Sequence, residues 1–127
     1  MCTMKPKSHR LAKCAYARIE LRLDFPHKKA FGTLALKLPA MILQNGLAQA
    51  TGFLIAKGNE EHLAVLNDLA ATMHAADGCT ATTGTALHQE IIAADTAATM
   101  RLTRSALEAS GWIKRYVQGV LGEETDA

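Results

Sequence analysis

Leu38-Pro39-Ala40-Met41-Ile42-Leu43-Gln44-Asn45-Gly46-Leu47-Ala48-Gln49-Ala50-Thr51-Gly52-Phe53-Leu54 places three side-chain amides and two glycines inside an otherwise apolar run. Proline is tolerated in the first turn of a helix, where its missing N–H is not needed, so Leu38-Pro39 reads as a helix start. The predicted helix runs to about Lys57. At 100° per residue, Leu43, Leu47, Ala50 and Leu54 line one face, and Ile42, Gly46 and Phe53 line the next. A helix apolar nearly all round belongs at the centre of a fold. Its glycines, costing roughly 1 kcal/mol each against Ala, are then expected where a neighbouring helix comes close. Gln44, Asn45 and Gln49 need partners: they either bridge adjacent helices or touch a ligand.

Working outward, Ser8 is a suitable N-cap, and Leu11, Ala12, Ala15, Tyr16, Ile19 and Leu23 form an apolar stripe at helical spacing. Arg18 and Arg22 lie four apart on its flank, where they can reach phosphates. Asp24-Phe25-Pro26 ends that helix, because a residue before proline avoids the α region. A short helix is expected over Lys28 to Lys37. Lys57-Gly58-Asn59 supplies a C-terminal glycine and then an N-cap, with Glu60 and Glu61 complementing the next helix dipole. That next helix carries the stripe Leu63, Leu66, Leu69/Ala70 and Met73. Residues 75–84 read as a loop without chemistry. A fifth helix is expected from about Thr85 through Leu87, Ile91, Ala94 and Ala98. The last starts near Thr103 and buries Ala106, Ala109, Ile113, Tyr116, Val117 and Val120.

No stretch alternates with period two for long. The pattern predicts an all-α fold, a single-domain bundle of five or six mostly antiparallel helices over residues 1–127, with 1–7 and 122–127 flexible. Leu43, Leu47, Leu54, Ile113 and Val117 are expected among its most buried side chains.

A chain of 127 residues is the size of one domain. Its three cysteines, Cys2, Cys14 and Cys79, are widely spaced and odd in number, so neither a disulfide framework nor a zinc ribbon is indicated, and a reducing, cytoplasmic setting fits. Apolar stretches fall short of the roughly 20 residues that cross a bilayer, so no membrane association is expected. The net charge of +2 hides an asymmetry. Residues 1–57 hold ten Lys/Arg and two acids, a net +8, whereas residues 58–127 hold four Lys/Arg and ten acids, a net −6. Such a split points to nucleic acid or to solvated helix faces.

Little in the chain speaks for catalysis. His9, His27, His62, His74 and His88 show none of the short spacings that put two ligands on one helix face, and no glycine-rich loop precedes Lys-Ser/Thr. No metal or other cofactor is expected. Cys79 has no basic neighbour in sequence to stabilise a thiolate, so it reads as a bystander. Few aromatics argue against base stacking, and Lys and Arg on helix flanks suit a phosphate backbone followed without reading bases.

Leu-Pro-Ala-x-Ile-x-Gln-Asn-Gly-Leu-x-Gln-x-x-x-Phe-Leu over residues 38–54, with Lys57 and the later Trp112-Ile113-Lys114-Arg115-Tyr116, resembles the small subunit of the type III-B CRISPR effector, the Cmr complex. The likeness spans essentially the whole chain. Leu43 departs from it, since a basic residue is expected there in many relatives. The resemblance implies a non-catalytic structural subunit in antiviral defence. Its partners would be the other Cmr subunits, copies of itself in a filament, and crRNA with single-stranded target RNA. Candidate RNA contacts are Arg18, Arg22, Lys37, Gln44, Asn45, Lys57, Lys114 and Arg115. The alternative is a free-standing helical DNA-binding regulator, which would need a recognition helix with base-reading polar residues.

Overall fold

In a computed structural model, residues 5–123 are described, and they form six α-helices with no strand among them. These are α1 (Lys7–Leu21), α2 (Lys28–Asn45), α3 (Leu47–Lys57), α4 (Glu60–Ala75), α5 (Gly84–Ile92) and α6 (Thr96–Tyr116). A short 3-10 turn (Arg22–Asp24) follows α1, and a π-helical turn (Val117–Leu121) extends α6. The all-α bundle expected from the sequence is therefore what forms. Much of the expected flexible ends, including the acidic run from Glu124 to Asp126, lies outside the described residues, while Lys7 already belongs to α1.

Four long helices make the frame. α1 runs antiparallel to α4, since Arg10 meets Asp77 just beyond α4 while Arg18 and Arg22 meet Asp68 further up it. α1 and α6 run parallel, with Lys7 beside Glu108 and Tyr16 against Tyr116. α3 packs on both α4 and α5, Phe53 touching His62 and Thr51 touching His88. The buried side chains of all six helices join in one core, with Leu11, Ile19, Phe31, Leu38, Ile42, Leu54, Leu66, Leu69, Met73, Leu87 and Ile113 fully enclosed.

The central stretch differs from its sequence reading in one decisive way. Residues 38–57 are two helices, because Gly46 adopts φ 86° and ψ 158°, a region open essentially to glycine alone. Nothing lies within 4 Å of where its side chain would be. Its role is thus conformational, not close packing. Pro39 falls inside α2, so Lys28–Asn45 is one helix even though proline withholds an N–H from Ala35. The break also resets the helical phase. α2 buries Phe31, Ala35, Leu38 and Ile42, which turns Leu43 outward at 71% exposure, against the expectation of burial. Leu47, Leu54, Ile113 and Val117 are buried as expected.

Smaller corrections have local causes. α1 begins at Lys7 with Pro6 ahead of it, and the Pro6 carbonyl accepts from the N–H groups of His9 and Arg10, so Ser8 is not the cap. Leu63 is partly exposed at the start of α4. α5 stops at Ile92, and α6 starts at Thr96 because Asp95 caps it, its carboxylate accepting from Ala98 N–H at 2.8 Å. Gly78 packs so tightly that a side chain there would collide with Ser105 and the Met73 carbonyl.

The largest departure concerns Arg18 and Arg22. Asp68, fully buried on α4, accepts from Arg18 Nε at 2.8 Å and from Arg22 Nε and Nη2 at 3.0 and 2.7 Å. Arg22, only 15% exposed, also lies 5.3 Å from the Phe25 ring centroid and 5.4 Å from that of Phe31. Both arginines thus face an internal carboxylate, which removes them from the set of free phosphate contacts. Asp68→Ala is expected to destabilise by about 3 kcal/mol, because it leaves two partly buried guanidinium groups without their anion. Leu47→Ala should cost about 2–5 kcal/mol, and Leu43→Ala should fall within about 0.5 kcal/mol of the parent. Chemical denaturation of the three variants reads all of these.

Candidate nucleic-acid interface

The Gly46 break that splits the central stretch also shapes its outer surface. The last turn of α2 and the first turns of α3 meet at an angle there, and all three amides, Gln44, Asn45 and Gln49, come out exposed. Among the described residues, none of the three side chains hydrogen-bonds within the chain. With Met41 and Phe53 they line a shallow groove of about 540 Å³. A second hollow of about 500 Å³ continues from it and is lined by Leu36, Lys37, Ala40, Met41, Gln44, Asn45 and Lys114. The two share Met41, Gln44 and Asn45, so one band crosses from α3 over α2 to α6.

Its chemistry is a floor of Met41, Ala40 and Leu36, amides along the middle, and an ammonium group from Lys37 and from Lys114. Among the described residues no carboxylate lines either hollow. The first turn of α3 carries no acid, and its leading N–H groups lie at the positive end of that helix, offset in part by the carbonyl end of α2. Lys57 sits 5.8 Å over the Phe53 ring at the edge of the band. Arg115 is on the adjoining face of α6, its guanidinium 5.4 Å from the Trp112 centroid.

Of the eight candidate residues, the fold therefore brings Lys37, Gln44, Asn45 and Lys114 together, sets Lys57 and Arg115 beside them, and directs Arg18 and Arg22 inward. Met41, Gln49 and Phe53 complete the band. Gln49 was among the amides that the sequence offered for ligand contact, whereas Met41 and Phe53 were not selected, because a continuous helix put Phe53 on a buried face.

A second concavity, about 660 Å³, lies between the 76–83 loop, α5 and α6, lined in part by His74, Cys79, Glu90 and Arg101. Glu90 accepts from Ala81 N–H at 2.9 Å, from the Thr80 hydroxyl at 2.9 Å and from Thr80 N–H at 3.1 Å. Desolvation pushes its carboxyl upward, but these bonds and nearby His74 outweigh it and hold the group below the usual carboxylate range. Desolvation, reinforced by the Glu90 charge, pushes the Cys79 thiol up to about 11. Cys79 is buried, and its thiol faces the Ala70 and Ala81 carbonyls. The loop is an anchored piece of structure, and its cysteine is kept as a thiol.

Residues 7–120 match the Cas_Cmr5 family of CRISPR-associated proteins. The chain belongs to that family. It is similar to the CRISPR system Cmr subunit Cmr5 of Thermus thermophilus, with 32% identity over 120 residues, 94% of this chain and 100% of the relative. A crystal structure of a Cmr5 family protein from the same organism superimposes with a TM-score of 0.84 at 30% identity, covering 93% of this chain and 99% of the other. Fold and family thus agree along nearly the whole length. No helix among the described residues is long and apolar enough to cross a membrane.

Two expectations follow for the loop. A carboxyl whose folded pKa lies below its unfolded value adds stability above the unfolded pKa and loses it as pH falls through the folded one. Glu90→Gln should therefore lower the melting temperature at neutral pH, and the difference from the parent should shrink as pH drops below about 4. Differential scanning fluorimetry across pH measures this. With its pKa near 11, native Cys79 should alkylate far more slowly at pH 8 than an exposed thiol, and mass spectrometry should show it reacting only on unfolding.

Proposed function

We propose that this chain is a non-catalytic structural subunit of a type III-B CRISPR (Cmr) effector, stacking as several copies beside the larger subunits and contacting the crRNA or target RNA backbone. The observation that carries the RNA contact is the band of Lys37, Gln44, Asn45 and Lys114, whose amides are unused inside the chain and whose lysines face no lining carboxylate. Family membership supports the assignment to the effector, since the Thermus relative is named a Cmr subunit. A cytoplasmic location follows from that role.

The band suits a backbone and not a base code. Lysines act as point charges for phosphates, and freely rotating amides donate to phosphate oxygens or ribose hydroxyls without selecting a sequence. Exposed apolar side chains elsewhere, Leu43, Ile92 and Met100 among them, offer area that neighbouring copies or larger subunits would cover. Nothing in the fold favours a free-standing DNA-binding regulator.

If each copy neutralises about four phosphates, the slope of roughly −0.7 per contact implies about a fifty-fold loss of affinity between 50 and 200 mM salt. One copy binds weakly. Several in line on one RNA gain through high effective concentration. Lys37→Glu with Lys114→Glu should flatten the salt slope and weaken target capture by the assembled complex, whereas Arg18→Glu with Arg22→Glu should first lower the melting temperature. Fluorescence polarisation over a salt series tests both pairs. A Lys37/Lys114 double reversal with an unchanged slope and unchanged capture would refute the RNA role of this band. Failure of the tagged chain to co-purify with the other effector subunits and a guide RNA from the native host would refute the assembly.

A further inference from the structure

The chain has one tryptophan and two tyrosines, and all three gather on one surface. Trp112 and Tyr116 stack with centroids 5.9 Å apart and planes at 24°, and Tyr16 meets Tyr116 edge-on at 5.3 Å. The Arg115 guanidinium lies 5.4 Å from the Trp112 centroid. None of these rings is buried: Tyr16 is 45% exposed, and Trp112 and Tyr116 are partly exposed. Beside Trp112 a hollow of about 260 Å³ opens between Leu107, Glu108, Gly111 and Arg115. Nothing lies within 4 Å of where a Gly111 side chain would be, so the hollow stays open. Its volume is below the roughly 300–1,000 Å³ of clefts that hold whole small molecules, and it leaves room for one flat group. The acid on its rim, Glu108, is paired with Lys7 at 3.1 Å.

We infer that this hollow is a stacking site for one unpaired base of a single-stranded RNA, which takes the place of the exposed Arg115 guanidinium on the Trp112 ring. The inference rests on the proposed backbone contact and extends it. Lys114, in the backbone band, and Arg115, over Trp112, are consecutive on α6, so a strand following the band passes the aromatic surface within one residue's turn of the helix. Aromatic faces and guanidinium planes both stack on bases without reading sequence. Tyr16 and Tyr116 were expected on core stripes from the sequence, and the placement of all three rings at the surface supplies the stacking partner that the basic residues lack.

Because Trp112 is the only tryptophan, its fluorescence reports this site alone. The test titrates the full chain with oligouridylate and with an abasic sugar-phosphate chain of equal length at low salt. Oligouridylate should quench the indole and bind about ten-fold more tightly than the abasic chain. Trp112→Phe should keep most of that advantage, whereas Trp112→Leu, which preserves apolar packing, should abolish it with an unchanged melting temperature. Equal binding of the two chains without quenching would overturn the stacking site while leaving the backbone band intact. Quenching with an unchanged salt slope in the Lys37→Glu/Lys114→Glu variant would instead sustain the stacking site and refute the band. Loss of capture by partner subunits in Trp112→Leu, with RNA affinity unchanged, would mark the surface as a protein contact and overturn the inference.

Discussion

A buried carboxylate held by two arginines sets the geometry on which the remaining packing depends. Asp68 lies inside the bundle on α4 and takes three hydrogen bonds from Arg18 and Arg22, one guanidinium gripping both of its oxygens. An ionised carboxylate in an apolar interior is tolerable only when so satisfied. The pairing fixes the register of α1 against α4. Arg22 then continues onto Phe25 and Phe31, tying the turn after α1 to the start of α2. Sliding α1 by one turn in either direction would leave Asp68 with only one of its two arginines, so the electrostatic lock favours one arrangement among the several that a small-residue, Ala-rich core would otherwise accept.

The same lock changes the meaning of the charge asymmetry between the two halves of the chain. Lys7, Arg10, Arg18 and Arg22 from the basic half pair with Glu108, Asp77 and Asp68 from the acidic half. Much of the split is therefore internal complementarity, with the halves interleaved in space. The cations left over are those on which the proposed RNA contact draws. Lys37 and Lys114 come from opposite halves of the sequence, yet line one hollow across the α2–α6 contact, which no count of charges along the chain could reveal.

The fold was largely legible because apolar residues at 3.6 spacing identify helices and most of their buried positions, as Leu11, Ala15 and Ile19 or Ala106, Ala109 and Ile113 illustrate. The illegible parts have physical reasons. Pro39 and Gly46 are both breakers, and sequence patterning does not say which one breaks: proline was tolerated within α2 while a positive-φ glycine ended it. That single choice moved Leu43 from core to surface and the three amides from inside to outside. Half of the candidate site residues converged because they flank this break or face it across α6. Arg18 and Arg22 did not, because the partner that claims them lies some fifty residues away.

Once the amides are outside, their clustering acquires a different explanation. Inside a helix bundle they would cost free energy unless paired; at a solvated break they cost little and remain available. The helix break is thus more than a topological detail, because it is the device that keeps donors unpaired at the surface while the flanking leucines, Leu38 and Leu47, stay buried. In the proposed role, a contact surface built this way is shallow and would attach weakly per copy. Weak, sequence-blind contacts are useful when the same surface is presented repeatedly at fixed spacing, and a rigid bundle locked by one buried ion cluster is well suited to hold that spacing.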